Sequence, residues 1–188
     1  TLKGIEDAAA FFRAEGAEVG DVTLPSLAEF NACGWIILLS EAFAVHEAWM
    51  RRDLGMYGEL LRDRLVLGGL LTAADYLAAQ KKRLELTART AAAAGGCDLL
   101  LTAAQPGEAR RIDAVPKWAF LEKPNFTIPF NVTGWPGLTL CTGYGEGGLP
   151  VAMQLVGKPW SEPTLFRAGD HYERAMPWRG RRPALLDG

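Results

Sequence analysis

The chain has 188 residues, 49% of them hydrophobic and 22% charged, with a formal net charge of -2. That is the composition of a soluble globular protein long enough to bury a core. A pI near 5.7 excludes the basic footprint of a nucleic-acid binder and gives no attraction to an anionic membrane surface.

The most apolar run, Gly34 to Leu39, stops well short of the ~20 residues a bilayer needs, and Glu41 follows it. Neither a transmembrane helix nor a signal peptide is expected, since charges are scattered through the first residues. The cysteines Cys33, Cys97 and Cys141 are far apart and odd in number. They argue against a disulfide framework or a zinc site and for a reducing, cytoplasmic compartment. No metal or other cofactor is expected. The chain opens on Thr1 rather than Met, so a segment removed ahead of it, or a longer parent product, is expected.

In chain order, residues 4–15 read as a helix, with Ile5, Ala8, Ala9 and Phe12 at helical spacing and Gly16 as its stop. Val19, Val22 and Leu24 alternate up to Pro25 and predict a short strand. Ser26 with Glu29 three places on is a capping box, so a long helix is expected over 27–50. A short amphipathic helix follows over 57–67, ending at Gly68-Gly69. Thr72 and Asp75 then cap a helix that runs to Ala94, where Gly95-Gly96 close it. Residues 97–102, "CDLLLT", have the length and polarity of a buried strand. A helix, a stop and a strand in that order predict a layered α/β arrangement.

Residues 103–125 are rich in Pro and charge and read as a long loop, mobile or pocket-lining. Two strand-like runs, "PGLTLCTG" and "LPVAMQLVG", come next, then a helix over "SEPTLFRAGDHYERAM" with Ser161 as N-cap, and a tail. The turn "GEGG", Gly145 to Gly148, lies between the two runs. A phosphate loop needs a Lys-Ser/Thr pair and a following helix. Here Pro150 and β-branched residues follow, so the glycines predict a tight strand-to-strand turn.

Few residues offer chemistry by themselves. Cys141 with His171 is a conceivable thiol–imidazole pair, although Cys141 sits in a strand-like run. His46 beside Glu47 is read as a structural helix residue or a site residue. An N-terminal Thr1 nucleophile would open directly into a helix. The carboxylates Asp21, Glu29, Glu41, Asp53, Glu108 and Glu122 are scattered, and nothing selects a pair. Lys81-Lys82-Arg83 reads as a solvated helix face. Trp118, Phe120, Phe126, Phe130 and Trp135 cluster beside the long loop; they either cap the core or wall an apolar pocket.

From Phe126 onward the chain carries "FTIPFNVTGWPGLTLCTGYGEGGLPVAMQLVGKPWSEPTLFRAGDHYERAMPW". This resembles the C-terminal segment of the amidase signature family. The family's Phe-Thr-x-Pro-x-Asn falls on Phe126 to Asn131, its Thr-Gly-x-Pro on Thr133 to Pro136, and its Gly-rich turn on Gly145 to Gly148. Its "GLPVGLQLVG"-like strand falls on Gly147 to Gly157, and its Glu-x-x-Leu helix start on Glu162 to Leu165. Earlier stretches, "GAEVGDVTLPSL", "EAFAVHEAW", "YGELLRDRLVLGGLLTAADYLAAQKKR" and "CDLLLTAA", look similar to the family's middle part.

The resemblance implies an α/β fold: one partial amidase domain over 1–188, the C-terminal part of the amidase signature fold, with a mixed β-sheet covered by helices. It implies hydrolysis of a carboxylic amide through an acyl-serine. Phe126, Thr127, Asn131 and Trp135 would be the substrate-binding residues. The family's Gly/Ser-rich nucleophile stretch and its upstream Lys have no counterpart here: the only serines are Ser26, Ser40 and Ser161. Catalytic residues are therefore expected outside this chain, on an N-terminal half that would be its main partner, with a small amide as substrate. A homodimer is one assembly the resemblance leaves open; nucleic acid and membrane are not expected partners. Two alternatives stand beside this reading: a non-catalytic subunit or interaction module of the same fold, and a fragment of an amidotransferase A-type subunit. Amidotransferase members that act on acidic substrates carry an Asp shortly before the Phe-Thr. Here that neighbourhood reads "LEKPNFT", which weakens an aminoacyl-tRNA role.

Overall fold

The computed structural model describes residues 2–122 and 124–181, which divide into two compact units. One unit holds residues 2–23, 94–115 and 134–181; the other holds 24–93, 116–122 and 124–133. Thr1, weighed above as a nucleophile and disfavoured by the helix that follows it, and the end of the tail lie outside the described residues.

In the first unit, α1 (Leu2–Ala14) and α7 (Glu162–Ala175) cover a three-stranded sheet of β1 (Leu99–Ala103), β2 (Gly137–Tyr144) and β3 (Pro150–Gly157). The sheet order is β1-β3-β2, with both pairings antiparallel. Leu140, Met153 and Leu155 form the core here with Ala8, Leu165 and Tyr172. The central strand β3 is buried from Val151 to Gly157 apart from the half-buried Ala152, so both of its faces are covered. This explains why "VAMQLVG" reads as a nearly continuous apolar run. Both strands of the predicted hairpin and its turn are present. A bulge at Cys141/Gly143, with Gly143 at φ 137°, bends β2.

In the second unit, α2 (Leu27–Arg52), α3 (Glu59–Gly68), α4 (Ala73–Ala93) and the short α6 (Ile128–Thr133) pack together around Phe30, Cys33, Leu86, Ile128 and Val132. The Ser26 hydroxyl accepts from the Glu29 amide at 3.2 Å, and the Glu29 carboxylate accepts from the Ser26 amide at 3.2 Å, so the predicted capping box forms. Thr72 and Asp75 repeat the arrangement at the head of α4. Gly68 ends α3 against α2: a Cβ there would lie 2.1 Å from the Leu39 carbonyl oxygen.

Four local expectations change. Residues 17–24 alternate like a strand but pair with no described strand. Alternation sets which side chains turn inward, while a ladder needs a neighbour; the segment serves as the connection from α1 to α2. Ser161 does not cap α7 through its side chain. Its φ of -97° and ψ of 18° turn the hydroxyl back, and it donates to the Lys158 carbonyl at 2.6 Å. The long segment after β1 contains the 3-10 turn Ile112–Ala114 and the short helix α5 (Ala119–Glu122). Finally, α2 is a continuous helix of 26 residues, long and apolar enough to cross a membrane by length and composition. The helix agrees with the one expected over 27–50; what differs is that its apolar character extends beyond the run at 34–39. It packs against α3, α4 and α6 within this unit, with 22% of its apolar stretch buried there.

Candidate functional site

Phe126 and Thr127 immediately precede α6, and Asn131 lies within it, its amide donating to the Thr127 carbonyl at 3.3 Å. Three features position this short helix within its unit. The first is a notch in α2: a Cβ on Gly34 would lie 2.6 Å from Ile128 Cγ2 and 3.1 Å from Val132 Cγ2, so only glycine lets α6 seat there. The second is a clamp at the N-terminal end. The Asn125 amide donates to Asn31 Oδ1 at 2.8 Å, and Asn31 Nδ2 donates to the Asn125 carbonyl at 3.1 Å and to the Leu27 carbonyl at 2.8 Å. The third is at the C-terminal end, where Arg83 Nε donates to the Val132 carbonyl at 2.7 Å. A helix of six residues leaves most of its end groups without intrahelical partners; Arg83 of α4 supplies one at the C-terminal end, while Asn31 of α2 fixes the backbone just ahead of the helix.

Asn125 also sets the start of α6. Its Oδ1 accepts from the Thr127 amide at 2.8 Å and from the Thr127 hydroxyl at 2.6 Å. This Asx turn starts α6 and uses up the Thr127 hydroxyl proton. Phe126 and Thr127 are half-buried, and Asn131 is exposed. Trp135 belongs to the other unit, where it is 7% exposed. Of the other aromatics, Phe130 is buried in the α6 unit and Trp118 is 38% exposed with Lys117 Nζ 5.6 Å from its ring; the Phe120 side chain lies outside the described residues. Sequence reasoning missed Asn31, Asn125 and Arg83. The legible signal was Asn-x-Thr immediately before Ile-Pro, an N-terminal helix pattern.

Among the described residues, the candidates His171, Cys141 and His46, and the cysteine Cys33, each have their own partner. His171 Nε2 lies 2.9 Å from Glu15 Oε2, on an exposed surface. The Cys141 thiol donates to the Gly143 carbonyl at 3.4 Å. The Cys33 thiol donates to the Ala79 carbonyl at 3.3 Å, and burial pushes its pKa up, which leaves it protonated and inert. His46 Nδ1 lies 3.1 Å from the Tyr57 hydroxyl and joins α2 to the end of the α2–α3 link.

Charge in the helical unit is gathered between α2 and α4. Glu29 Oε1 meets Lys82 at 2.8 Å and Arg89 at 3.0 Å, and Glu85 meets the same two cations. The Lys82 ammonium first, then the Arg89 guanidinium and the Ser26 hydroxyl, hold the Glu29 carboxyl down at about 2. Lys82 thus lies on an ion-paired surface between helices rather than on a free basic patch. Lys117 similarly bridges Glu59 and Asp63 of α3.

With this geometry in place, comparison with known proteins decides the family. Residues 2–166 match the model of the family described as Amidase. The chain belongs to the Amidase family. An amidase of Pseudomonas putida is 35% identical over 179 residues, covering 91% of this chain and 38% of that protein. A glutamyl-tRNA(Gln) amidotransferase subunit of Geotalea daltonii is 31% identical over 210 residues, covering 97% of this chain and 43% of that protein. A solved amidase structure superposes with a TM-score of 0.82 at 27% identity, over 93% of this chain and 42% of its own. A 6-aminohexanoate cyclic dimer hydrolase shares the fold, with a TM-score of 0.77 at 22% identity. This amidase-family chain therefore spans about two-fifths of the length of the relatives it matches.

Proposed function

We propose that these residues are the C-terminal portion of an amidase that hydrolyses a carboxylic amide C–N bond through an acyl-serine intermediate. The supporting observation is the family match over residues 2–166, joined to the 38% share of the Pseudomonas putida amidase that the chain covers. In this reading a serine on the rest of the polypeptide attacks the amide carbonyl and the amine leaves. Water then releases the acid, with a Ser-Ser-Lys relay moving the protons and backbone amides holding the oxyanion. The present chain supplies the sheet, its covering helices and part of the pocket wall.

Phe126, Thr127 and Asn131 of the helical unit are our proposed substrate-facing residues, and Trp135 of the sheet unit is proposed in that role separately. Asn131 is the polar member whose side chain is exposed, and Trp135, at 7% exposure, would act through shape. The three cysteines are free, which supports a reducing compartment such as the cytoplasm.

The amidotransferase reading draws on the similarity to the Geotalea daltonii protein. Against it, the residue just before Phe126-Thr127 is Asn125, whose side chain is committed to the Thr127 amide and hydroxyl.

The test is a paired assay. The complete protein should release amine from simple anilides or aliphatic amides with a burst of acyl-enzyme, and the rigorously purified 188-residue chain should show no turnover. Robust turnover by the short chain would overturn the proposal. Glutamine-dependent amide transfer to an acylated tRNA, without simple amide hydrolysis, would favour the amidotransferase.

A further inference from the structure

The turn between β2 and β3 holds an anion, and that anion is a side chain of this same chain. Within the turn, the Gly148 amide donates to the Gly145 carbonyl and the Gly145 amide to the Leu149 carbonyl, both at 3.0 Å, and Gly148 takes φ 76°. The amides of Gly147 and Leu149 point elsewhere. Gly147 N donates to Glu108 Oε2 at 3.0 Å and Leu149 N to Glu108 Oε1 at 2.8 Å. Each carboxylate oxygen has one backbone donor, the two-point recognition that fits a planar carboxylate.

The glycines are explained by this occupant. Neither Gly145 nor Gly147 is among the positive-φ residues, so backbone conformation does not demand glycine at either place. The Glu108 carboxylate fills the space instead: a Cβ on Gly145 would lie 2.5 Å from Glu108 Cδ and one on Gly147 2.6 Å from Glu108 Oε2, so a side chain at either place would displace it. A cation flanks the same turn. Arg181 Nη2 lies 3.6 Å from where a Gly148 Cβ would sit, and its guanidinium carbon is 3.8 Å from the centre of the Tyr144 ring. Glu108 itself comes from the irregular stretch between β1 and Ile112–Ala114, followed by the exposed Arg110 and Arg111. These groups all belong to one unit.

We propose that the Gly145–Leu149 turn is a carboxylate-binding site whose resident ligand is Glu108. The contact latches residues 104–111 onto the β2–β3 hairpin, and an external carboxylate takes the same two amides when Glu108 is withdrawn.

The experiment uses the complete protein and two readouts: hydrogen exchange at the Leu149 and Gly147 amides, and the rate of tryptic cleavage after Arg110 and Arg111. In Glu108→Ala both should rise about tenfold, the scale set by losing two charge-assisted bonds on a half-exposed surface. Acetate should restore slow exchange in that variant, whereas chloride at matched ionic strength should not. Gly147→Ala keeps Glu108 but places a methyl group where its carboxylate sits, so it should reproduce the faster cleavage. It also supplies the test if Glu108→Ala fails to fold. Wild-type exchange and cleavage in both variants would overturn the latch. Absence of re-protection by acetate, or equal re-protection by chloride, would overturn the site.

Discussion

Asn31 of α2 and Asn125 ahead of α6 hold each other through two hydrogen bonds, one in each direction, across 94 residues of sequence. Asn31 is 9% exposed and donates as well to the Leu27 carbonyl. Replacing it with Leu leaves the Asn125 amide without its acceptor in a partly buried place. The expected cost is about 1–3 kcal/mol, read as a lower urea midpoint with an unchanged slope. Asn31→Asp separates the two roles. It keeps an acceptor for Asn125 but aims a carboxylate at two carbonyl oxygens, so its stability should recover as pH falls and the carboxyl becomes a donor. A midpoint equal to wild type in Asn31→Leu would show that the clamp is not what seats α6.

Gly68 tests the packing beneath that helix pair. The Leu39 carbonyl oxygen, 2.1 Å from the Cβ an alanine would add, is backbone and cannot rotate away, and Phe43 Cβ lies 2.7 Å off. Gly68→Ala should therefore destabilise by about 1–3 kcal/mol despite alanine's better helix propensity. Gly20 is the control. No atom lies within 4 Å of its Cβ position, and alanine there should be neutral or slightly stabilising. Thermal midpoints of the two variants decide it: equal midpoints would mean that α3 and α2 slide apart at no cost.

These two sites mark where the sequence could be read and where it could not. Ser26 with Glu29, and Thr72 with Asp75, were legible because a cap and its partner sit three residues apart, within one turn. The hairpin was legible because its turn glycines lie between two apolar runs. The clamp by Asn31 and the bond from Arg83 to Val132 were not, since their partners are 94 and 49 residues away; an isolated Asn carries no pattern, and Arg83 was read with Lys81 and Lys82 as part of a solvated face. The segment 17–24 failed for the opposite reason: its local pattern was strand-like, but the sheet gives it no neighbour. At the candidate site, Phe126 and Thr127 stood out as a motif, while Asn125, which fixes the Thr127 hydroxyl, looked like part of the preceding loop.

Asn131 and Trp135 should separate substrate contact from packing. Asn131 is exposed on α6, so Asn131→Ala in the complete protein should leave the thermal midpoint within about 1 °C while lowering kcat/KM for amides with polar acyl groups more than for apolar ones. Trp135 is 7% exposed, so Trp135→Ala should cost about 3–5 kcal/mol of stability. Any change in KM there should vary with acyl size. Uniform loss of activity across a substrate panel in both variants would reassign the two residues to structure alone.

Acid should probe the α2–α4 charge network through Glu29. Its carboxyl ordinarily titrates near 4.5 and is held at about 2, first by Lys82 and then by Arg89 and Ser26. A depressed folded-state pKa means that the unfolded chain binds the proton more readily. The stabilisation is thus complete above 4.5 and is lost as pH falls from 4.5 towards 2. Glu85, lowered by the same two cations, adds to the slope in the same direction. Glu29→Gln should have a lower urea midpoint than wild type at neutral pH, by an amount that shrinks as the pH approaches the folded-state value. The side chains are between 32% and 51% exposed, so about 0.5 M salt should shrink the neutral-pH gap as well. Parallel pH profiles for the variant and the wild type would show that these contacts, though short, contribute nothing to holding α2 on α4.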